Sequence, residues 1–203
     1  MEYADVELPQ RGYDPDAARK LLEEAGWKLE NGQEVRTKND SKLSMKLYYD
    51  ANSSSQKTQA ELIQHAMKEI GMELELVGEE STSVAKRRST GDYDLLFNQT
   101  WGLAYDPQST IAAFTSESSY LNTTKGIAKA DELYKKIAEV TVSMEESDRK
   151  SLYADILNIV HEEAVFIPLT NGSVTIVAPH SLQGAGFKQT QYELPFEKMT
   201  FNK

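Results

Sequence analysis

The chain has 203 residues, with 22 basic against 32 acidic side chains and a formal net charge of -10; 39% of its residues are hydrophobic and 27% charged, the balance of an ordinary globular protein. Net acidity with scattered Lys and Arg argues against nucleic acid or an anionic membrane as partner. The absence of cysteine excludes disulfides, zinc–thiolate sites, iron–sulfur clusters and thiol nucleophiles together.

Residues 1–13 read as a lead-in with little pattern, and MEYADVELPQ lacks the basic and apolar regions of a signal peptide. No apolar run reaches the roughly 18 residues that a membrane span needs. The sequence is therefore either cytoplasmic or begins inside a longer chain. YDPDAARKLLEEAGW predicts the first helix, with Asp14 as N-cap, Pro15 at the first helical position and Gly26 as the left-handed stop. Ala18, Leu21, Leu22 and Ala25 form its expected buried stripe, with Trp27 packing back on the last turn.

Residues 28–42 predict an exposed turn or hairpin. Leu43, Met45, Leu47 and Tyr49 then alternate with polar neighbours as a strand. A helix starts at Ser53 to Gln56, repeats apolar positions at Ala60, Ile63, Met67 and Ile70, and stops at Gly71. Met72, Leu74 and Leu76 form the next strand, so this is a βαβ unit with parallel strands and a right-handed crossover. A short helix over Ser83–Thr90, stopped by Gly91, leads into a buried strand over residues 93–97. The resulting β-α-β-α-β order sets the end of that strand at the ligand-binding edge of an open α/β sheet.

Residues 107–125 predict a brief helix and a loop. Two longer helices follow, striped by Ile127, Ala130, Tyr134, Ile137, Thr141 and Met144, and by Leu152, Ile156, Ile159 and Val160, with Ser147 as cap of the second. Ala164–Leu169 and Ser173–Val177 are β-rich runs around Asn171-Gly172, a hairpin signal, with Pro168 restricting the first run to an edge. The tail from about 180 to 203 resembles a segment crossing to another surface.

Catalytic chemistry finds no footing. His65, His161 and His180 are far apart and none has a partner at the spacing of a zinc-protease helix; no nucleophile elbow exists, and Gly184-Ala185-Gly186 has no strand-to-helix setting for phosphate. Glu79-Glu80 and Glu145-Glu146 are adjacent and diverge, which suits solvated faces and not an acid/base couple.

The stretch YDLLFNQTWGLAYDPQS, residues 93–109, carries the functional signal. A strand that only had to stop could end in Asn-Gly; this one runs into Asn98, Gln99 and Thr100 and then presents Trp101 and Tyr105 around a glycine. Pattern alone leaves two readings open: the aromatics fill core space, or they wall a ligand pocket with the polar trio beside them. Asp106-Pro107 also has a plain reading, as a turn that starts a helix.

YDPDAARKLLEEAGW, the strand and helix after it, GDYDLLFNQTWGLAYDP and the late AVFIPL together resemble the C-terminal lobe of the extracytoplasmic solute-binding proteins of ABC importers, in the oligopeptide/dipeptide/nickel family. The likeness covers nearly the whole chain. TWGLAYDPQS and YELPFEKM are most similar to the nickel-binding branch. The resemblance implies an α/β, periplasmic-binding-protein-like (class II) lobe with an open mixed sheet, βαβ units and flanking helices. It implies that residues 1–203 are a single lobe of a two-lobed protein, with residues from about 180 returning to the other lobe. It implies a monomeric, non-catalytic protein that holds its solute for a permease, extracytoplasmic, with signal and lipid anchor lying outside this sequence.

Trp101 and Tyr105 then line the cavity, with Gln99, Thr100 and Asn98 as hydrogen-bond partners. The nickel branch commonly offers a histidine about eighteen positions after that Trp and another after YDP; this chain has Ser119 and Gln108 there. No metal ligand of its own and no cofactor follow, and the implied solute is nickel held in a small chelator, or alternatively a short peptide. Two other classes carry less support. A hydrolase would need a nucleophile or metal cluster, and a protein-interaction or sensor domain would need a large exposed apolar patch without a cleft.

Overall fold

Asp14 caps the first helix, α1 (Pro15–Glu24), its carboxylate accepting from the Ala17 amide at 2.9 Å in a computed structural model that describes residues 4–99, 107–116, 120–170, 175–188 and 193–202. Pro15 takes the first helical position and Gly26, at φ 89°, ends the helix as expected. The predicted buried stripe is not realised. No residue of α1 is buried and Leu21 is 65% exposed, because periodicity marks which face of a helix is apolar and not what covers it.

Polar bonds hold α1 instead. Arg36, 2% exposed, donates from Nε to the Ile70 carbonyl at 2.8 Å and from Nη1 to the Trp27 carbonyl at 3.0 Å, and both terminal nitrogens reach Glu23 at 3.3 Å. Gly71 is needed at this corner: its φ is +78°, and a Cβ there would sit 3.0 Å from Arg36 Cγ. The hairpin expected within residues 28–42 is β1 (Thr37–Lys38) and β2 (Ser41–Lys42), joined by Asn39 and Asp40 in left-handed conformations, the geometry that matches the twist of paired strands.

The βαβ unit forms as predicted. β3 (Ser44–Asp50) and β4 (Glu73–Glu79) pair in parallel with Leu47 opposite Leu76, joined by α2 (Ser54–Glu69), whose cap Ser53 accepts from the Gln56 amide. α3 (Ser81–Thr90) starts two residues before its predicted onset and stops at Gly91, φ 78°. β5 (Leu95–Leu96) then adds in parallel to the other side of β3, giving the order β4-β3-β5. It is shorter than the expected 93–97 and half-buried. The Asp94 carboxylate takes the Lys46 amide at 2.8 Å, a position where a strand backbone would have accepted. Leu47, Ala60 and Leu74 centre this core, with Ile63, Met67, Leu76, Leu95 and Phe97 against them.

A second core is helical. α4 (Gln108–Ala112) runs into a 3-10 turn, Ala113–Thr115, followed by α5 (Leu121–Thr124), α6 (Ala130–Val142) and α7 (Glu146–Glu162). Ile111, Phe114, Leu133, Ile137, Val140, Tyr153, Ile156 and Ile159 are buried together. The stripe predicted for α6 is partly corrected. Ile137 is buried, but Leu133 and Val140 carry the packing, while Met144 lies beyond the helix end at 95% exposure. Ser147 does not cap α7: the helix begins at Glu146, which leaves Ser147 inside the first turn, where Glu146 and Asp148 complement the helix dipole.

The expected hairpin after α7 is also corrected. Residues 165–170 and 175–179 form no strand, while Asn171-Gly172 and Ser173 lie outside the described residues. β6 (Leu182–Gln183) and β7 (Thr200–Phe201) instead make a short antiparallel ladder in the tail. Gly184 permits it, since a Cβ at its φ of +75° would fall 2.0 Å from the Lys198 carbonyl oxygen.

Candidate functional site

Parallel strands of one sheet end on the same side, and the loops leaving those ends are where an open α/β sheet presents polar groups to a ligand. β5 is an edge strand, and its C-terminal end continues into Asn98 and Gln99, both exposed. Asn98 Oδ1 accepts from Arg88 Nη1 at 2.7 Å, and Asn98 Nδ2 donates to the Tyr120 hydroxyl at 2.7 Å. A guanidinium can only donate, so this partner sets the orientation of the amide, and the amide in turn makes the Tyr120 oxygen an acceptor.

Three elements meet here. Arg88 comes from the last turn of α3 and lies with its guanidinium carbon 5.6 Å from the centre of the Tyr120 ring. Tyr120 precedes α5, its ring edge-on to Phe114 at 6.2 Å and to Phe166 at 5.8 Å. Asn122 Nδ2 donates to the Ser89 carbonyl at 2.7 Å, and the Tyr93 and Thr123 hydroxyls bond at 2.6 Å. The strand end therefore sits on the seam between the sheet core and the helical core, buttressed from both.

The neighbouring Arg87 is used differently. It grips Glu79 through two bonds of 2.7 Å, reaches Asp92 at 2.7 Å and lies 4.1 Å from the centre of the Tyr48 ring. Those hydrogen bonds hold the Glu79 carboxyl below its usual range, and the Glu79 carboxylate lifts the Arg87 guanidinium above its own. A cavity of about 240 Å³ beside it is lined by Glu79, Ser83, Lys86, Arg87, Thr90 and Asp92. Because its arginine is already matched by two carboxylates, this cleft is a staple between β4 and α3.

Of the residues singled out in the sequence, Asn98 and Gln99 stand at the strand end; Thr100, Trp101 and Tyr105 lie outside the described residues, as does Ser119. Gln108 opens α4 and is half-buried. Arg88 and Tyr120 were not singled out. Their signal is the run Lys86-Arg87-Arg88 in an otherwise acidic chain, and an aromatic in a polar loop. Among the described residues, no three His, Asp or Glu side chains gather as a metal site. His65 lies on the exposed face of α2, 3.7 Å from Glu69, His161 is half-buried on α7, and His180 is exposed in the tail. No helix among the described residues is long and apolar enough to cross a membrane.

Residues 1–122 match the family model of bacterial extracellular solute-binding proteins, family 5 Middle. The nickel-binding periplasmic protein of Escherichia coli (strain K12) is 34% identical over 200 residues, 98% of this chain and 38% of that protein. The oligopeptide-binding protein AppA of Bacillus subtilis (strain 168) is 24% identical over 191 residues, 89% of this chain and 33% of that protein. Among solved structures, NikA from Brucella suis in complex with Fe(III)-EDTA superposes with a TM-score of 0.91 at 34% identity, covering 98% of this chain and 40% of the other. The chain thus spans about two fifths of the length of the Escherichia coli nickel-binding protein and of Brucella suis NikA.

Proposed function

Because the chain belongs to the bacterial extracellular solute-binding proteins of family 5, we propose that it is the C-terminal lobe of a two-lobed protein that captures a nickel chelate outside the cytoplasmic membrane and delivers it to an ABC importer. The observation that carries this reading is the 34% identity with the nickel-binding periplasmic protein across 98% of this chain. The likeness in backbone to NikA, whose structure holds Fe(III)-EDTA, supports a chelate as the bound form. Capture involves no bond making or breaking. The two lobes close over the solute, remove it from water and present the closed form to the permease. The protein acts as a monomer, in the periplasm or lipid-anchored outside the membrane.

In this reading Trp101 and Tyr105 are flat walls against the chelate, and Asn98, Gln99 and Thr100 offer hydrogen bonds at the strand end. With Ser119 and Gln108 standing where the nickel branch commonly offers histidine, this lobe brings no histidine to the metal, whose bonds are to its chelator. The similarity to AppA favours a second reading, in which the same pocket takes a short peptide. Calorimetric titration of the full-length protein with nickel alone, with nickel chelates and with short peptides decides between them. Nickel chelates are expected to bind, with Trp101→Ala weakening them at least several-fold. Peptide binding without chelate binding would establish the second reading, and unchanged affinity in Trp101→Ala would remove that residue from the site.

A further inference from the structure

The groups at the end of β5 keep donor capacity that no contact among the described residues uses. Arg88 Nη1 is engaged by Asn98, yet Arg88 Nε is buried without any hydrogen-bond partner, and no carboxylate among the described residues lies in ion-pair range of this guanidinium. That is unusual in a chain with 32 acidic residues, and the adjacent Arg87 has two carboxylates to itself. Asn98 spends its oxygen on Arg88 and one amide hydrogen on Tyr120. Tyr120, having accepted from Asn98, keeps its hydroxyl proton to give.

Counting valences, Arg88 and Tyr120 both have hydrogens that no acceptor among the described residues takes. Among the described residues the positive charge has no carboxylate counterion. A cationic, donor-rich group of this kind, 5.6 Å from the centre of an aromatic ring, matches one ligand chemistry, an oxyanion that can accept from the guanidinium and a hydroxyl together. We propose that Arg88, Asn98 and Tyr120 form a carboxylate-recognising subsite of the solute pocket, with Arg88 and Tyr120 meeting the anion and Asn98 holding the two in register. The assignment rests on the solute-binding reading above and adds to it the charge of the solute: it presents a carboxylate here, whether from a metal chelator or from a peptide C-terminus.

The packing explains why the subsite is preorganised. Tyr120 cannot swing away without leaving Phe114 and Phe166, and the end of α3 is held to α5 by Asn122 on the Ser89 carbonyl. Donors fixed before the ligand arrives lose little freedom when it binds.

The test is calorimetry on the full-length protein in two arms. One titrates nickel–EDTA, which carries carboxylates, against nickel–ethylenediamine, which has none; the other titrates trialanine against trialanine amide. In whichever arm the wild-type protein binds, the carboxylate form is expected to bind more tightly than its carboxylate-free counterpart, and Arg88→Gln to weaken the carboxylate form by about tenfold or more. Tyr120→Phe, which keeps the ring in its aromatic contacts, is expected to weaken it by about threefold to tenfold. Neither variant should change affinity for the carboxylate-free probe. Arg88→Lys should recover only part of the loss, since it restores charge without the planar fork. Tight wild-type binding that is equal in Arg88→Gln and Tyr120→Phe overturns the subsite and leaves the solute-binding reading standing. Failure of the wild-type protein to bind in either arm overturns that reading, and the subsite with it.

Discussion

Around Arg36 each of the three guanidinium nitrogens meets an acceptor, and the side chain ties the end of α1 to the end of α2; around Arg88, on the last turn of α3, one nitrogen is buried with no acceptor and the charge has no carboxylate partner among the described residues. Both arginines are shielded from solvent, Arg36 almost fully and Arg88 in part. The difference separates two uses of a covered cation. Arg36, whose valences close within the chain, is a structural joint, whereas Arg88 keeps Nη2 hydrogens that no described residue accepts, the donors assigned above to the solute's carboxylate.

Arg36→Ala gives the largest expected change in stability. It orphans the Ile70 and Trp27 carbonyls and empties a filled space, so urea unfolding should show a loss of roughly 2–4 kcal/mol. Solute affinity should be unchanged. Arg88→Gln should do the reverse, with stability within about 1 kcal/mol of wild type, because an arginine that lacks a counterion contributes little to holding the fold. If Arg88→Gln unfolded the protein as readily as Arg36→Ala, the contrast would be lost.

Asn98→Ala should come next, at about 1 kcal/mol, since it removes the amide between Arg88 and Tyr120 while leaving both cores intact. Asp40→Gly, in the turn next to the Arg36 corner, should stabilise by about half a kcal/mol by relieving a φ of 62°. The smallest effect is that of pH on the Glu79–Arg87 staple. Because the Glu79 carboxyl is lowered in the folded chain, its contribution is present above the ordinary carboxylate range near pH 4.5 and fades as pH falls through the lower folded value. Glu79→Gln should therefore flatten part of the acid limb of the stability curve, and an unchanged limb would show the bond to be screened out.

Legibility differed between the two corners for physical reasons. Caps, glycine stops and alternation marked α1, α2, β3 and β4, because those signals are local and each residue reports its own neighbourhood. The burial of Arg36 was invisible, since a basic residue in a polar stretch looks solvated until Gly71 and the end of α2 close over it. α1 misled in the opposite sense, with an apolar stripe that this chain leaves open at Leu21. At the candidate site, Asn98 and Gln99 could be placed at a strand end from the βαβ order alone. Arg88 and Tyr120 could not, because they come together only when α3 and α5 dock across the seam.

A related expectation concerns the isolated 203-residue chain. If, as proposed, it supplies one wall of a two-walled pocket, it should bind nickel chelates or peptides only weakly, and micromolar or tighter affinity would contradict that division of the site.

The most direct measurement is fluorescence from a full-length variant in which Trp101 is the lone tryptophan, titrated with a nickel chelate. Saturable quenching of Trp101 is expected, with a midpoint that matches the calorimetric affinity. Saturable binding of the chelate with no change in Trp101 emission would contradict it.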